Sequence, residues 1–257
     1  MTPRRTIEEA EVPAVIPTPR KSNLVFQIGF LAVFGAVISL PTPVAHGKVV
    51  FVNAGQTNSS RDGLTWATAF TNVQQAIDGA ASGDQVWVAA AAYFENIALK
   101  EGIALYGGFK GVETDLSERN WTTNVSVLDG RETDSVIVVA AGATNTTRID
   151  GFVIRNGKAT SGGGILCSNA SPVIANNALR SNTATSANGL AGGAGIYCAL
   201  SWAMICNNRF LENAARTDGG GGIACAGSSP TILSNTFVAN VASYSSRKTS
   251  RRPTRTA

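Results

Sequence analysis

Apolar and polar positions alternate through the second half of the chain, and the alternation recurs in units. Three units open on a phrase of the form Gly-Ile-x-Cys, at Gly164, Gly195 and Gly222. An asparagine follows each opening after 13 residues and another follows five residues later, so the units repeat at steps of 31 and 27 residues. Units this short bury a hydrophobic face only by stacking on one another. The pattern therefore predicts a solenoid.

Alternation with a period of two predicts short β-strands in each unit. The isoleucine and cysteine of each opening phrase are expected to face inward, and the residue between them outward. Two further strands per unit are predicted around apolar residues, the second around Ile174, Ile205 and Ile232 and the third around Leu179, Phe210 and Phe237. Three short strands per turn, separated only by bends, predict an all-β fold, a right-handed parallel β-helix of four or five coils.

The recurrent asparagines are expected at the bends, because asparagine tolerates the left-handed backbone conformation that a sharp bend needs. Their stacked amides are also expected to hydrogen-bond along the array. An alternative interpretation is a row of amides that binds a ligand. The repeats are clear over 149–243 and weaker upstream, where Asn156 is expected to align with Asn182.

The hydrophobic period changes between Trp66 and Ala81. One helical face there carries Phe70, Val73, Ala76, Ile77 and Ala80, and Asn72 precedes it as a candidate N-cap. This predicts a short N-terminal helix near 71–81 that caps the open end of the β-helix, whose domain is predicted to span 48–243.

The two ends of the chain differ from this domain. Residues 1–47 resemble a long leader with a secretory signal, since an apolar run from Leu24 to Leu40 follows Arg20 and Lys21. We therefore expect a secreted or cell-surface protein. The alternative is an uncleaved membrane anchor, the one membrane contact that the sequence suggests. Residues 244–257 are basic and aperiodic, and we expect a disordered tail or an artefact of truncation.

The net charge of +4 arises from these ends, because acids outnumber bases by 14 to 12 between residues 48 and 246. We expect no nucleic-acid partner.

Four cysteines in an exported chain suggest disulfides, but their positions favour another arrangement. Cys167, Cys198 and Cys225 occupy one position of successive units, which predicts a buried row of thiols. A bond from Cys198 to Cys167 or to Cys225 remains open. Cys206 has no equivalent in the other units.

The sequence contains no recognisable catalytic set. His46 is the only histidine and lies at the end of the predicted leader, which argues against His-dependent catalysis and His-ligated metals. Acids do cluster between residues 113 and 134. We expect a solvated loop there, and the alternative is a Ca²⁺ site with candidate ligands Glu113, Asp115, Asp129 and Asp134. No other cofactor is expected.

Two stretches resemble known families. The opening of the domain contains four characteristic phrases: Phe51-Val-Asn-Ala-Gly, Asp62-Gly-Leu-Thr-Trp66, Gly83-Asp-Gln-Val-Trp-Val and Leu105-Tyr-Gly-Gly-Phe109. At this spacing they resemble exported bacterial right-handed parallel β-helix repeat proteins of the pectate-lyase-like superfamily. The later Gly-Gly-x-Ile and Phe-x-x-Asn phrases, such as Gly220–Ile223 and Phe237–Asn240, resemble repeats of polymorphic outer-membrane adhesins.

The repeats, the export signal, the adhesin-like phrases and the lack of a catalytic set together favour a non-enzymatic, adhesin-like surface protein that binds glycan or another surface. The alternative that the superfamily implies is a polysaccharide lyase or glycoside hydrolase, although fold alone does not establish activity. For a glycan, the candidate contacts are Tyr197 on the outer strand face and Trp202 in the following bend, which could form one aromatic platform. In the alternative, Trp202 packs inward and Tyr197 is an ordinary strand residue.

Overall fold

The computed structural model describes residues 47–186, 192–216 and 219–243. The predicted leader, apart from Gly47, and the predicted tail lie outside these residues. The β-strands follow one another in coils. A first strand, β1 (Val49–Val52), is followed by coil 1 with β2 (Gln85–Ala89), β3 (Ala91–Tyr93) and β4 (Ile97–Leu99), and by coil 2 with β5 (Ala104–Phe109), β6 (Ser126–Asp129) and β7 (Ile137–Val139).

The later coils contain four strands each. Coil 3 has β8 (Arg148–Asp150), β9 (Phe152–Arg155), β10 (Lys158–Ala159) and β11 (Ile165–Ser168), and coil 4 has β12 (Val173–Ala175), β13 (Ala178–Arg180), β14 (Thr183–Ala184) and β15 (Ile196–Ala199). Coil 5 has β16 (Met204–Cys206), β17 (Arg209–Leu211), β18 (Ala214–Ala215) and β19 (Ile223–Ala226). The described part ends with β20 (Thr231–Leu233), β21 (Thr236–Val238) and β22 (Val241–Ala242).

Equivalent strands of successive coils pair in parallel and form four sheets. The seven-stranded sheet has the order β1-β2-β5-β8-β12-β16-β20, the six-stranded sheet β3-β6-β9-β13-β17-β21, and the five-stranded sheet β4-β7-β11-β15-β19. The predicted right-handed parallel β-helix is confirmed. A fourth ladder, β10-β14-β18-β22, was not predicted, because strands of two residues are too short to show alternation.

The inward-facing columns follow the repeat register. Ile196 pairs with Ile165 and Ile223, Cys198 with Cys167 and Cys225, and Phe210 with Leu179 and Phe237. The members of these columns from Ile165 to Phe210 are fully buried, as predicted: Ile165, Cys167, Leu179, Ile196, Cys198 and Phe210. Phe237 is 50% exposed because it belongs to the last described coil, where it stacks on Phe210 with ring centroids 4.7 Å apart.

The glycine that opens each repeat is required by close approach of the backbone. A Cβ at Gly195 would lie 2.5 Å from the carbonyl oxygen of Gly222 and 2.8 Å from the ring of Phe210. A Cβ at Gly164 would meet the carbonyl oxygen of Gly195 at the same distance, 2.5 Å. Only glycine lets consecutive coils stack at this position.

The predicted N-terminal helix is present as α1 (Val73–Gly79). The side chain of Asn72 accepts a hydrogen bond from the backbone N–H of Gln75 at 2.8 Å, as expected of an N-cap. Val73, Ala76 and Ile77 are fully buried and belong to the same apolar core as the β-strands. Two short 3₁₀ helices lie at Trp66–Thr68 and Leu116–Glu118.

The asparagines of the repeats do not occupy the left-handed positions that were predicted for them. The residue with positive φ is the preceding one in each bend: Asn176 (58°), Asn207 (56°) and Ser234 (55°). Asn177 and Asn208 come next and are buried. Their amides hydrogen-bond along the array, which confirms the expected stacking. In each bend, the first of two consecutive residues therefore adopts the left-handed conformation, and the asparagine that follows it makes the hydrogen bonds between coils.

The predicted alignment of Asn156 with Asn182 is also wrong by one residue. The register of β9 with β13 pairs Ile154 with Leu179, which places Asn156 opposite Ser181. Both of these residues have positive φ, 55° and 54°. Gly157 occupies the place of the asparagine in this coil, and its N–H donates to the side-chain oxygen of Asn182 at 2.9 Å.

Candidate functional site

Trp202 lies in the bend between β15 and β16, with 66% of its surface exposed. Its backbone N–H donates to Oγ of Ser171, in the equivalent bend of the preceding coil, at 3.0 Å. The bend is thus held through the main chain, and the indole ring does not fill the core. Trp202 is consequently available for contact with a ligand.

The ring of Trp202 borders a surface depression of about 400 Å³ that crosses the bends of three successive coils. Its lining residues are Gly142, Ala143, Thr144, Asn145, Asn169, Ser171, Leu200 and Trp202. None of these lining residues carries a charge. The depression combines an aromatic face with amide and hydroxyl groups, a set suited to stacking on a sugar ring and hydrogen-bonding its hydroxyls.

Tyr197 lies outside this depression. It projects from the outer face of β15, in register with Leu166 and Ala224, and is partly exposed. It borders a second depression, of about 360 Å³, lined by Asp134, Ser135, Ala159, Thr160, Ser161, Leu166, Ser168 and Tyr197. The structure therefore places Tyr197 and Trp202 beside different depressions.

The Ca²⁺ candidates are dispersed, and each has its own hydrogen-bond partners. The Glu113 carboxylate accepts the backbone N–H groups of Lys110, Gly111 and Val112 at 2.6 to 3.0 Å. Burial acts to raise the pKa of Glu113, but these N–H donors outweigh burial and hold the pKa below its usual value. Glu113 thus organises the turn that follows β5.

The other three candidate acids have equally local roles. Asp115 is the N-cap of the Leu116–Glu118 helix and forms a capping box with Glu118. The Asp134 carboxylate accepts a hydrogen bond from the backbone N–H of Ser135 at 2.7 Å. The Asp129 carboxylate accepts one from Nε of Arg155, also at 2.7 Å. Among the residues that the structure describes, no group of three or more Asp, Glu, His or Cys side chains is arranged to hold a metal ion.

A third concave surface, the Trp121 groove, runs beside the six-stranded sheet and has a volume of about 290 Å³. The loop between β5 and β6 contributes Trp121, Thr122 and Val125, and later coils contribute residues that include Val153, Asn207 and Arg209. The repeat pattern of the sequence did not indicate this groove. Its strand residues could have been recognised, because alternation places Arg209 on the outer face next to inward-facing Phe210.

Residues 55–229, about two thirds of the chain, match the model of a family described as "Protein of unknown function (DUF1565)". The chain belongs to the DUF1565 family. The matched residues include both depressions and the Trp121 groove. No curated protein and no solved structure matches this chain.

The four cysteines of this DUF1565 protein are free thiols. Cys167 and Cys198 are fully buried in register with each other, as predicted, and Cys206 is partly buried. The predicted burial of Cys225 is wrong, because β19 is the last described strand of its sheet and leaves this thiol exposed. A hydrogen bond with Cys198, together with burial, raises the pKa of Cys167. A buried neutral thiol in this position acts as a small apolar side chain.

In the described part of this DUF1565 chain, no helix has the length and apolar character needed to cross a membrane.

Proposed function

We propose that this protein is an exported or cell-surface β-helix protein that binds glycan without catalysing a reaction. The observation that carries the proposal is the exposed Trp202 ring beside an uncharged, hydroxyl- and amide-bearing depression. Aromatic faces complement the apolar faces of sugar rings, and amides such as those of Asn145 and Asn169 complement their hydroxyls.

Two features of the sequence support the remaining parts of the proposal. The apolar run from Leu24 to Leu40 after two basic residues supports export. The Gly-Gly-x-Ile and Phe-x-x-Asn phrases resemble repeats of outer-membrane adhesins and support a role in surface binding. The parallel β-helix adds a rigid scaffold on which equivalent bends line up once per coil.

The alternative on the same fold is a polysaccharide lyase or hydrolase. Hydrolysis of a glycoside ordinarily uses two carboxyl groups roughly 5–10 Å apart across the scissile bond. In the portion that the structure describes, the Trp202 depression has no acid or base in its lining, and the Tyr197 depression has Asp134 as its one acid. This arrangement favours binding over cleavage.

The test is a glycan array probed with the full chain, followed by affinity measurements on the glycans that are retained. Trp202→Ala should weaken binding about fivefold, corresponding to loss of about 1 kcal/mol of ring stacking. The matched control is Phe94→Ala, which removes another exposed aromatic ring, 52% exposed, from outside the depression lining.

Two results would contradict the proposal. Equal binding by the wild type and Trp202→Ala would exclude the Trp202 depression as the glycan site. New reducing ends or unsaturated products after incubation with polysaccharides, with and without Ca²⁺, would show that the protein is an enzyme.

A further inference from the structure

The Trp121 groove has one wall that is held rigidly in place. The guanidinium group of Arg119 lies 4.7 Å from the centroid of the Trp121 ring and 4.9 Å from that of Tyr106. The same group donates to Oδ1 of Asp150 at 2.7 Å and to the carbonyl oxygen of Gly107 at 3.1 Å. Asp150 is fully buried, so this cation is fixed and in turn fixes the Trp121 ring.

The strand side of the groove presents one cation, Arg209, and a second, Arg180, lies on the neighbouring strand outside the lining. That neighbouring strand is β13, where Ala178 pairs with Arg209. Both side chains are exposed and point to the outer face of the six-stranded sheet. Strand spacing and rise place their Cα atoms about 8 Å apart.

The other arginines near the groove are paired, which distinguishes them from these two. Arg119 and Arg148 form ion pairs with Asp150, and Arg155 forms one with Asp129. Within the described ranges, neither Arg180 nor Arg209 forms an ion pair, and none of the groove-lining residues is Asp or Glu. The nearest acid along the chain, Glu212, is exposed in the bend after β17 and also forms no ion pair in those ranges.

Asn207 adds an uncharged polar group to the same groove. It has positive φ in the bend before β17, its side chain is exposed, and it lines the groove. Its backbone N–H donates to the carbonyl oxygen of Leu233 at 3.2 Å. The side-chain amide makes no hydrogen bond to another described residue, so it can bind a ligand.

We propose that the Trp121 groove binds a saccharide chain that carries carboxylate or sulfate groups. Trp121 contacts the face of a sugar ring, Asn207 binds a hydroxyl group, and Arg209 and Arg180 bind the anionic substituents through charge-assisted hydrogen bonds. The unpaired cations favour an anionic over a neutral glycan. This site is separate from the Trp202 depression, and the inference does not rest on glycan binding there.

Binding of the full chain to short oligomers of dextran, carboxymethyl dextran and dextran sulfate tests the proposal, because the three probes share one backbone and differ in charge. Calorimetry in moderate salt should show at least tenfold tighter binding of one or both charged probes than of dextran. The comparison of the two charged probes identifies which anionic group is preferred.

Variants locate the binding to the groove. Arg209→Gln should weaken binding of the charged probe roughly tenfold, the scale expected for loss of a charge-assisted hydrogen bond, and Arg180→Gln should weaken it several-fold. The matched control Arg61→Gln removes an exposed arginine elsewhere, and the basic residues of 244–257 are present in every variant. Arg61→Gln and Trp202→Ala should each change the affinity less than twofold.

Three results would overturn the inference. They are equal affinity for dextran and its charged derivatives, equal effects of Arg209→Gln and Arg61→Gln, and equal competition by a short single-stranded DNA.

Trp121→Phe should retain most of the affinity and Trp121→Ala should lose it, with melting temperatures confirming that both are folded. Loss of the neutral-glycan response in Trp202→Ala, with charged-probe binding intact, would separate the two sites.

Discussion

The side-chain oxygen of Asn208 accepts both the backbone N–H of Asn177, at 3.0 Å, and the Nδ2 group of Asn177, at 3.1 Å. The two residues occupy the same position of adjacent coils, and both are almost fully buried. Nδ2 of Asn208 in turn donates to the carbonyl oxygen of Ile174 at 2.9 Å. One amide therefore satisfies several buried polar groups that the bend would otherwise leave without partners.

Asn208→Ala should lower the free energy of unfolding by roughly 2–4 kcal/mol, because it leaves the N–H of Asn177 and the carbonyl of Ile174 buried without these partners. Chemical denaturation measures the loss. The matched control is Asn207→Gly, which keeps a residue suited to positive φ and removes an exposed amide, and we expect a change below about 1 kcal/mol. A larger loss in the control would mean that the bend position matters more than the buried amide.

Phe210→Ala should lower the free energy of unfolding by about 3–5 kcal/mol, because the ring is fully buried between Leu179 and Phe237. The same change at Phe237, which is 50% exposed, should cost only about 1–2 kcal/mol. Equilibrium unfolding of both variants checks the difference. Equal losses would show that the last described coil is covered in solution.

Glu113→Gln should lower the free energy of unfolding near pH 7 by roughly 1–3 kcal/mol, because an amide oxygen replaces a carboxylate that accepts three backbone N–H groups. The pKa of Glu113 is lower in the folded chain than the unfolded value of about 4. The contribution of Glu113 to the free energy of unfolding is therefore complete above the unfolded pKa, and it is lost as the pH falls through the folded pKa.

The corresponding measurement is the melting temperature of wild type and variant between pH 6 and pH 2. The two curves should converge as the pH falls. Protonation removes from the wild type the stabilisation by the Glu113 carboxylate, which the variant lacks at every pH. Glu101→Gln, at an exposed acid, is the control and should run parallel to the wild type. Curves for Glu113→Gln that stay equally far apart down to pH 2 would contradict the predicted role.

Much of the fold followed from particular residues in the sequence. The Gly-Ile-x-Cys openings indicated the register that pairs Ile165 with Ile196, and the apolar face around Ile77 indicated the capping helix. These predictions succeeded because period and repeat are local properties that a parallel stack preserves from coil to coil. The Asn156 alignment failed by one residue because Gly157, rather than an asparagine, occupies the repeated position there.

The candidate sites were less predictable. Tyr197 was predicted on the outer strand face and Trp202 in the bend after it, yet the sequence could not show that the two residues border different depressions. The Trp121 groove was not predictable from the repeats, because its aromatic wall comes from the non-repeating loop between β5 and β6. Its position depends on Arg119, which contacts Asp150 at a separation of 31 residues.

The sequence by itself determined the coiling, the inward columns and the outward direction of residues such as Arg180 and Arg209, because alternation and repetition encode them directly. The tertiary structure decided which loop lies beside which coil, which arginines are neutralised by Asp129 and Asp150, and which remain free in the described residues. The physical reason is that strand register repeats along the chain, whereas an ion pair or a groove wall depends on side chains that meet only after the coils have stacked.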